Sequence, residues 1–105
     1  MLNIGGKRAS LRQLNQELLS LDAVEDGALF LRARSDGSER VAGLVVSKRP
    51  IRDILQSLAK SVDPVFLPRP LRAVQEIPRN TVGKSTKAML QDALDAALRQ
   101  DDLNA

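Results

Sequence analysis

The chain has 105 residues, of which 43% are hydrophobic, and only Phe30 and Phe66 are aromatic, so the totals suit one domain with an aliphatic core. It contains no cysteine and no histidine, which excludes disulfides, thiolate chemistry and imidazole catalysis. The carboxylates are scattered, so no metal site is predicted. Sixteen basic and thirteen acidic residues give a net charge of +3. The apolar runs are too short for a membrane span or a signal peptide, so we expect a cytoplasmic protein without a membrane partner.

The chain begins with a strand candidate and an amphipathic helix. The strand is Leu2–Ile4, and Gly5-Gly6 end it, because glycine accepts backbone angles that other residues avoid. The helix is predicted over residues 10–21, with Ser10 as its N-cap and leucines recurring on one face.

A β-hairpin is predicted next. Residues 28–34 and 40–46 are strand candidates, and the Asp36-Gly37 pair between them is typical of a hairpin turn.

The second half predicts a helix after Pro50, a proline-rich approach over 63–70, a strand over 71–77 and a last helix over 86–99. The final five residues are expected to fray.

The predicted order is β-α-β-β-α-β-α. We therefore expect the α+β class, with a small mixed sheet, a β-hairpin and about three helices. The predicted core consists of Leu14, Leu18, Phe30, Leu44, Val46, Ile54, Leu58, Val74 and Leu94.

The stretch Gly83-Lys84-Ser85 resembles the end of a nucleotide-binding P-loop. It lies between a predicted strand and a predicted helix, as a P-loop does. However, the first glycine of that motif is replaced by Pro78, which lacks an N–H and has a fixed φ. A P-loop is therefore not favoured. A second interpretation is structural, with Gly83 turning the chain and Lys84 a solvated loop lysine.

A third interpretation comes from a resemblance that covers the whole chain. The start, "LNIGGKRASLRQLNQELLSLDAVEDGAL", and the end, "LRAVQEIPRNTVGKSTKAML", resemble the C-terminal domain of the AMP-forming acyl-activating enzymes. These are the acyl-CoA synthetases, the luciferases and the adenylation domains of nonribosomal peptide synthetases. The end matches their pattern V-x-x-(L/I)-P-(R/K)-(N/T)-x-x-G-K. It departs from the family at Ser85, where an apolar residue is usual, and at Lys87, where arginine is commoner.

The resemblance implies a ligase with two half-reactions. A carboxylate first reacts with ATP to give an acyl-adenylate, and a thiol of coenzyme A or of a carrier-protein pantetheine then accepts the acyl group. Lys84, beside Gly83, would be the catalytic lysine of the first step. A cation suits this step because both reactants are anionic. ATP and its Mg²⁺ would be held by the large N-terminal domain.

The second step would use another face of the same domain. By resemblance, that face carries Gly5 and Gly6, beside which the pantetheine arm would pass, and Lys7 or Arg8, which could bind phosphates of coenzyme A. The structural alternative is that the two glycines form an ordinary turn.

The resemblance also implies the domain organisation. Residues 1–105 would be a mobile C-terminal domain, with the large domain and the hinge outside the chain, so we expect no adenylation by this chain alone. A free-standing domain that docks on a large partner is an alternative. The segments "DPVFLPRPLRAV" and "GGKRASL" resemble ligases of bacterial pigment biosynthesis, in which an aryl carboxylate is loaded onto an acyl carrier protein; other carboxylic acids stay open.

The competing class is a small basic binding module. Five arginines could contact nucleic-acid phosphates: Arg49, Arg52, Arg69, Arg72 and Arg79. The chain has no Trp or Tyr to stack on bases, and its last helix is acidic, so we expect no nucleic-acid partner.

Overall fold

The computed structural model describes residues 2–104, with side chains as far as Asp101. Over this range the elements are β1 (Leu2–Ile4), β2 (Lys7–Ala9), α1 (Leu11–Leu19), β3 (Asp26–Ala33), β4 (Glu39–Val46), α2 (Ile51–Leu58), β5 (Leu71–Ala73) and α3 (Lys87–Asn104), with a 3-10 turn at Pro64–Phe66. The predicted α+β class is confirmed. No helix within residues 2–104 combines the length and the apolar character that a membrane crossing requires.

The two-stranded sheet at the start of the chain was only half predicted. Strand β2 follows β1 directly and pairs with it in antiparallel fashion, from Leu2 opposite Ala9 to Ile4 opposite Lys7. The turn between them is made by Gly5 and Gly6, whose φ angles are +60° and +78°. The two glycines therefore reverse the chain into a hairpin rather than simply ending a strand.

The larger sheet is mixed, as predicted, with the strand order β3-β4-β5. Strands β3 and β4 are antiparallel, whereas β4 and β5 are parallel. The predicted Asp36-Gly37 turn is confirmed, with Gly37 at a φ of +88° and the Arg34 N–H donating to the Ser38 carbonyl oxygen at 2.7 Å. The helix starts are also confirmed, because Ser10 Oγ accepts the Gln13 N–H at 3.2 Å and Pro50 directly precedes α2.

The core is divided between the two faces of this sheet, because successive side chains of a strand point to opposite faces. One cluster holds α1 and α2 against the sheet through Leu14, Leu18, Leu29, Val41, Val45, Ile54 and Leu58. The other holds α3 through Phe30, Ala42, Leu44, Ile77, Leu90 and Leu94. The predicted core is confirmed except at Val46 and Val74, which are half-buried at the margin of the second cluster.

The predicted ends of β5 and α3 were wrong by several residues. Strand β5 ends at Ala73 rather than at residue 77, because β4 ends at Val46 and leaves the later residues without a neighbouring strand. Helix α3 begins at Lys87, after Thr86 Oγ1 accepts the Met89 N–H at 3.2 Å, and it continues to Asn104. No proline or glycine interrupts that stretch, and the helix includes 101–104 of the five final residues that were expected to fray.

Candidate functional site

The connection between β5 and α3 carries Lys84; we call residues 78–86 the lysine loop. Asn80 organises its tip. The Asn80 Oδ1 atom accepts the backbone N–H groups of Val82 at 3.1 Å and Lys84 at 3.0 Å. The Asn80 N–H donates to the Lys84 carbonyl oxygen at 2.8 Å, and the Gly83 N–H donates to the Asn80 carbonyl oxygen at 2.9 Å. Four hydrogen bonds to one residue therefore close the loop into a compact turn.

Lys84 lies at the exposed tip of this turn. Gly83 has a φ of +81°, and a β-carbon placed on it would meet no atom within 4 Å, so there is open space beside this residue. The neighbouring Val82 is 74% exposed. Among the described side chains, no carboxylate lies within 4.0 Å of the Lys84 ammonium. The Lys84 ammonium therefore has no acidic partner among the described residues, and it is accessible to an anion bound by another molecule or domain.

The base of the loop is fixed to the body of the domain. The Arg79 guanidinium forms a two-pronged ion pair with Asp26, at 2.9 and 3.1 Å. The hydrogen bonds from Arg79 hold the pKa of Asp26 below its usual value, against a smaller opposing effect of burial. On either side of the loop, Ile77 and Leu90 are buried in the core cluster beneath α3. Lys84 is therefore held on a short loop with two rigid ends.

The same hydrogen bonds exclude a P-loop. A P-loop binds phosphates through free backbone N–H groups and binds Mg²⁺ through the hydroxyl that follows the lysine. Here the N–H groups of Val82, Gly83 and Lys84 all donate to Asn80. The Ser85 hydroxyl donates inward to the Pro78 carbonyl oxygen at 2.6 Å. Within the described residues, no group of His, Cys, Asp and Glu side chains is suited to bind a metal ion.

The other predicted site residues lie in the β1–β2 hairpin. A β-carbon on Gly5 would approach Val65 Cγ2 at 3.2 Å, whereas one on Gly6 would meet nothing within 4 Å. The Lys7 ammonium lies 3.1 Å from Asp63, whose carboxylate also accepts the Val65 N–H at 3.0 Å. That backbone hydrogen bond, together with the one from Lys7, lowers the pKa of Asp63. Lys7 is thus engaged within the domain.

Arg8 is the more available cation of this hairpin. It is exposed on β2 and lines a cleft between α1 and the segment that follows α2. Of the two residues predicted to bind a phosphate here, Arg8 is the one that has no carboxylate within 4.0 Å among the side chains described up to residue 101.

The structure does not bring the hairpin and the lysine loop together. Leu2, Ile4 and Ala9 of the hairpin belong to the cluster beneath α1 and α2. The residues that flank the lysine loop, Ile77 and Leu90, belong to the cluster beneath α3. The two groups of predicted site residues are therefore attached to opposite faces of the larger sheet.

Two supporting residues, Asn80 and Asp63, were missed in the sequence. Asparagine often accepts backbone hydrogen bonds in turns, and its place inside "PRNTVGK" was a usable signal. Asp63 stands before Pro64 and caps the 3-10 turn there, but nothing local could reveal its ion pair with Lys7.

The basic face of the alternative binding module is partly neutralised. The carboxylates of Asp53, Asp101 and Asp26 lie within 4.0 Å of three of its five arginines, Arg49, Arg72 and Arg79 respectively. A continuous row of free cations, as phosphate-backbone binding requires, is not formed by these five.

Comparison with solved structures gives matches over most of the chain. A Mycobacterium tuberculosis fatty acyl CoA synthetase has a TM-score of 0.76 at 21% identity, over 91% of this chain and 20% of its own. The anthranilate CoA ligase AuaEII, in complex with anthranoyl-AMP, has a TM-score of 0.73 at 24% identity, over 92% and 20%. ATP-bound MatB from Rhodopseudomonas palustris has a TM-score of 0.74 at 22% identity, over 89% and 19%.

The chain has the fold of one fifth of an acyl-CoA synthetase. The resemblance inferred from the two terminal motifs is thereby confirmed at the level of the fold. The chain spans about a fifth of the length of each of these three structures. No protein-family model matches it, and no curated protein does.

Proposed function

We propose that the chain is the mobile C-terminal domain of an AMP-forming acid–thiol ligase. The ligase would join a carboxylic acid to ATP to give an acyl-adenylate, and would then transfer the acyl group to a pantetheine thiol of coenzyme A or a carrier protein. The proposal rests on the exposed Lys84, which lies on a loop held by hydrogen bonds to Asn80. It rests also on the fold, which the chain shares with about a fifth of the length of the acyl-CoA synthetases it matches.

Lys84 has the properties that the first step requires. The attacking carboxylate and the α-phosphate of ATP are both anionic, so a positive charge placed between them offsets their repulsion and holds them in line. Lysine carries a compact charge on a long, flexible side chain. The hydrogen bonds to Asn80 fix the backbone of Lys84 and so restrict where the ammonium can be placed. ATP and Mg²⁺ would be bound by the large domain, because Asn80 already engages the backbone N–H groups at the tip of the loop.

The second step would use the β1–β2 hairpin. Its position on the opposite face of the sheet supports a rotation that withdraws Lys84 and presents the hairpin instead. Gly6 leaves open space where a thiol-bearing arm could pass. Arg8 would contribute a positive charge toward a phosphate of the acceptor, whereas Lys7 would fix the hairpin through Asp63.

The partners follow from this division of roles. The large N-terminal domain would supply the pockets for ATP and for the carboxylic acid, and without it the chain would not adenylate. The carboxylic acid stays open, because its pocket would lie in the large domain and the similar structures include both a fatty acyl CoA synthetase and the anthranilate CoA ligase AuaEII. A role in pigment biosynthesis and an acyl carrier protein as acceptor stay predictions.

A chimera tests the proposal. Residues 2–104 would replace the matching fifth of AuaEII, and anthranilate-dependent exchange of pyrophosphate into ATP would be measured. We expect exchange in the chimera, and a loss of about 10²–10³-fold on Lys84→Ala, the effect of removing one stabilising group from a charged transition state.

The matched control is Lys60→Ala, which removes an exposed lysine at the end of α2. An active chimera in which both variants keep the parental rate would refute the role of Lys84. A parallel reaction, with the large domain of AuaEII and the chain as separate molecules, tests docking in trans. The chain alone is expected to give no exchange.

A further inference from the structure

A second cationic site lies at the end of the β3–β4 hairpin, and none of the residues proposed for catalysis or acceptor binding belongs to it. Arg32 of β3 and Arg40 of β4 are directly opposite each other in the register. Arg34 follows β3, and its N–H donates to Ser38 at 2.7 Å; Arg69 precedes β5, and its N–H donates to the Val41 carbonyl oxygen at 2.8 Å. The pairing of three chain segments thus places four arginines around the start of β4.

Few acids accompany these arginines. Arg32 has the Asp95 carboxylate at 4.0 Å. For Arg34, Arg40 and Arg69, the side chains described up to residue 101 include no carboxylate within 4.0 Å. The two acids of the turn have other partners, although the pKa of Asp36 is lowered mainly by hydrogen bonds from Ser38 and to a smaller extent by the charge of Arg34.

Asp36 is one of these acids, and it accepts both the N–H and the hydroxyl of Ser38. The other is Glu39, whose carboxylate lies 3.9 Å from Lys87. Like charges directly opposite each other across strands are unfavourable, so an anion bound among these arginines would stabilise the cluster.

Arg40 has an additional unmet requirement. Its Nε atom is buried, and no atom of the described residues accepts its hydrogen. A buried donor without an acceptor is unfavourable, and more so when it carries charge. Burial lowers the pKa of this guanidinium, and the charges of Arg69 and Arg34 lower it further. Arginine nevertheless keeps its proton at all ordinary pH values, so the repulsion is not relieved by deprotonation.

We propose that Arg34, Arg40 and Arg69 form a binding site for a phosphate group, either inorganic phosphate or the phosphate of a small nucleotide. Guanidinium groups bind phosphate oxygens in a two-pronged geometry. Arg34 and Arg69 are exposed, and the buried Arg40 Nε would complete such a fork once the Arg40 side chain turns toward the anion. Three guanidinium groups from three chain segments can surround one anion, and a phosphate has enough oxygens to serve all of them, whereas a carboxylate has two. The site is separate from the lysine loop and from the Gly5-Gly6 turn.

The test uses the whole chain, labelled with ¹⁵N, and follows the Nε–H resonances of its arginines by NMR. Inorganic phosphate, adenosine monophosphate, adenosine and acetate are added in separate titrations at constant ionic strength. We expect phosphate to shift the Arg40 resonance in a saturable manner, with acetate and adenosine much weaker. Equal affinity for inorganic phosphate and adenosine monophosphate would show that inorganic phosphate is sufficient for binding. Tighter binding of adenosine monophosphate would identify the ligand as the phosphate of a nucleotide.

Substitutions complete the test. Arg40→Gln is expected to weaken phosphate binding about tenfold or more, since it removes a charged, two-pronged donor. Arg34→Gln, at an exposed position, does the same without touching a buried atom and covers the case in which the first variant fails to fold. Arg52→Gln, on exposed helix surface, is the control with the same change of charge. The proposal is overturned if phosphate shifts Arg40 no more than Arg52, if acetate binds as tightly as phosphate, or if Arg34→Gln leaves the affinity unchanged.

Discussion

Removing the Asn80 side chain tests whether the lysine loop is braced as the structure indicates. Asn80→Ala deletes the acceptor of two backbone hydrogen bonds, from Val82 and Lys84, and leaves the two bonds made by the Asn80 backbone in place. One such bond contributes about 0.5–1.5 kcal/mol net, so the pair would contribute about 1–3 kcal/mol to the closed turn. Because the loop is exposed, water replaces part of what is lost, and we expect a value near the lower limit.

Amide hydrogen exchange of the chain measures this directly. A loss of about 1.4 kcal/mol corresponds to tenfold faster exchange, so a loss of about 1 kcal/mol should make the Lys84 and Val82 amides exchange roughly fivefold faster in Asn80→Ala. Amides in the core strand β4 should be unaffected. Asn80→Asp retains an acceptor oxygen and should keep most of the protection. Thr81→Ala, a truncation at the exposed neighbouring residue, is the matched control.

Two results would refute this reasoning. One is that the Lys84 amide of the unaltered chain exchanges as fast as an unstructured peptide. The other is that Asn80→Ala and Thr81→Ala have the same effect. In the AuaEII chimera, Asn80→Ala should also slow adenylation about tenfold, less than Lys84→Ala does, because the ammonium is retained and only its placement is loosened.

Three further predictions concern the hairpin, the ion pair and the core. In the chimera, Gly6→Trp should impair thioester formation and spare adenylation, whereas Gly37→Trp, at a glycine with an equally open environment and a positive φ, should spare both; equal loss of both steps at Gly6 would count against the role of the hairpin. Asp26→Asn should lower the free energy of unfolding by about 0.2–1 kcal/mol at neutral pH, as expected for a partly exposed pair. The pKa of Asp26 is lowered in the folded chain, so this difference should be full above the ordinary value of 3.8 and shrink as the pH falls below it; urea titrations in which the difference does not change with pH would contradict the assignment. Gly43→Ala should destabilise the chain by about 1–3 kcal/mol, because the added carbon meets Leu29 and the Ala28 carbonyl oxygen, and an unchanged unfolding midpoint would argue against that packing.

Most of the fold could be predicted because its signals are local. The Asp36-Gly37 turn, the Ser10 cap and the leucine spacing of α1 each depend on residues a few positions apart. Strand β2 was missed because "KRA" has no apolar alternation, and its pairing is imposed by the turn at Gly5-Gly6. Strand β5 was predicted too long because its length is set by where β4 ends, which its own sequence does not contain.

The candidate site likewise contains residues that the sequence indicates locally and residues that it does not. Lys84 could be found because its motif is contiguous, and the structure leaves its side chain exposed. The residues that support the site depend on contacts between distant parts of the chain, as in the pairs Lys7–Asp63 and Asp26–Arg79. The arginine cluster likewise required the register of three segments, which no spacing in the sequence specifies.

The residues proposed to act in catalysis contribute little to either core, and this makes their substitution informative. Gly6 and Gly83 are exposed and have a positive φ, with open space beside each of them. Lys84 is exposed as well, and it lies between Gly83 and the start of α3. A side chain at either glycine would be strained by the positive φ, whereas the exposed Lys84 can be truncated with a small effect on stability, since destabilisation arises mainly from buried or strained groups that are altered. A large loss of rate on Lys84→Ala, in a chain whose unfolding is unchanged, would therefore report the chemistry of the ammonium rather than damage to the fold.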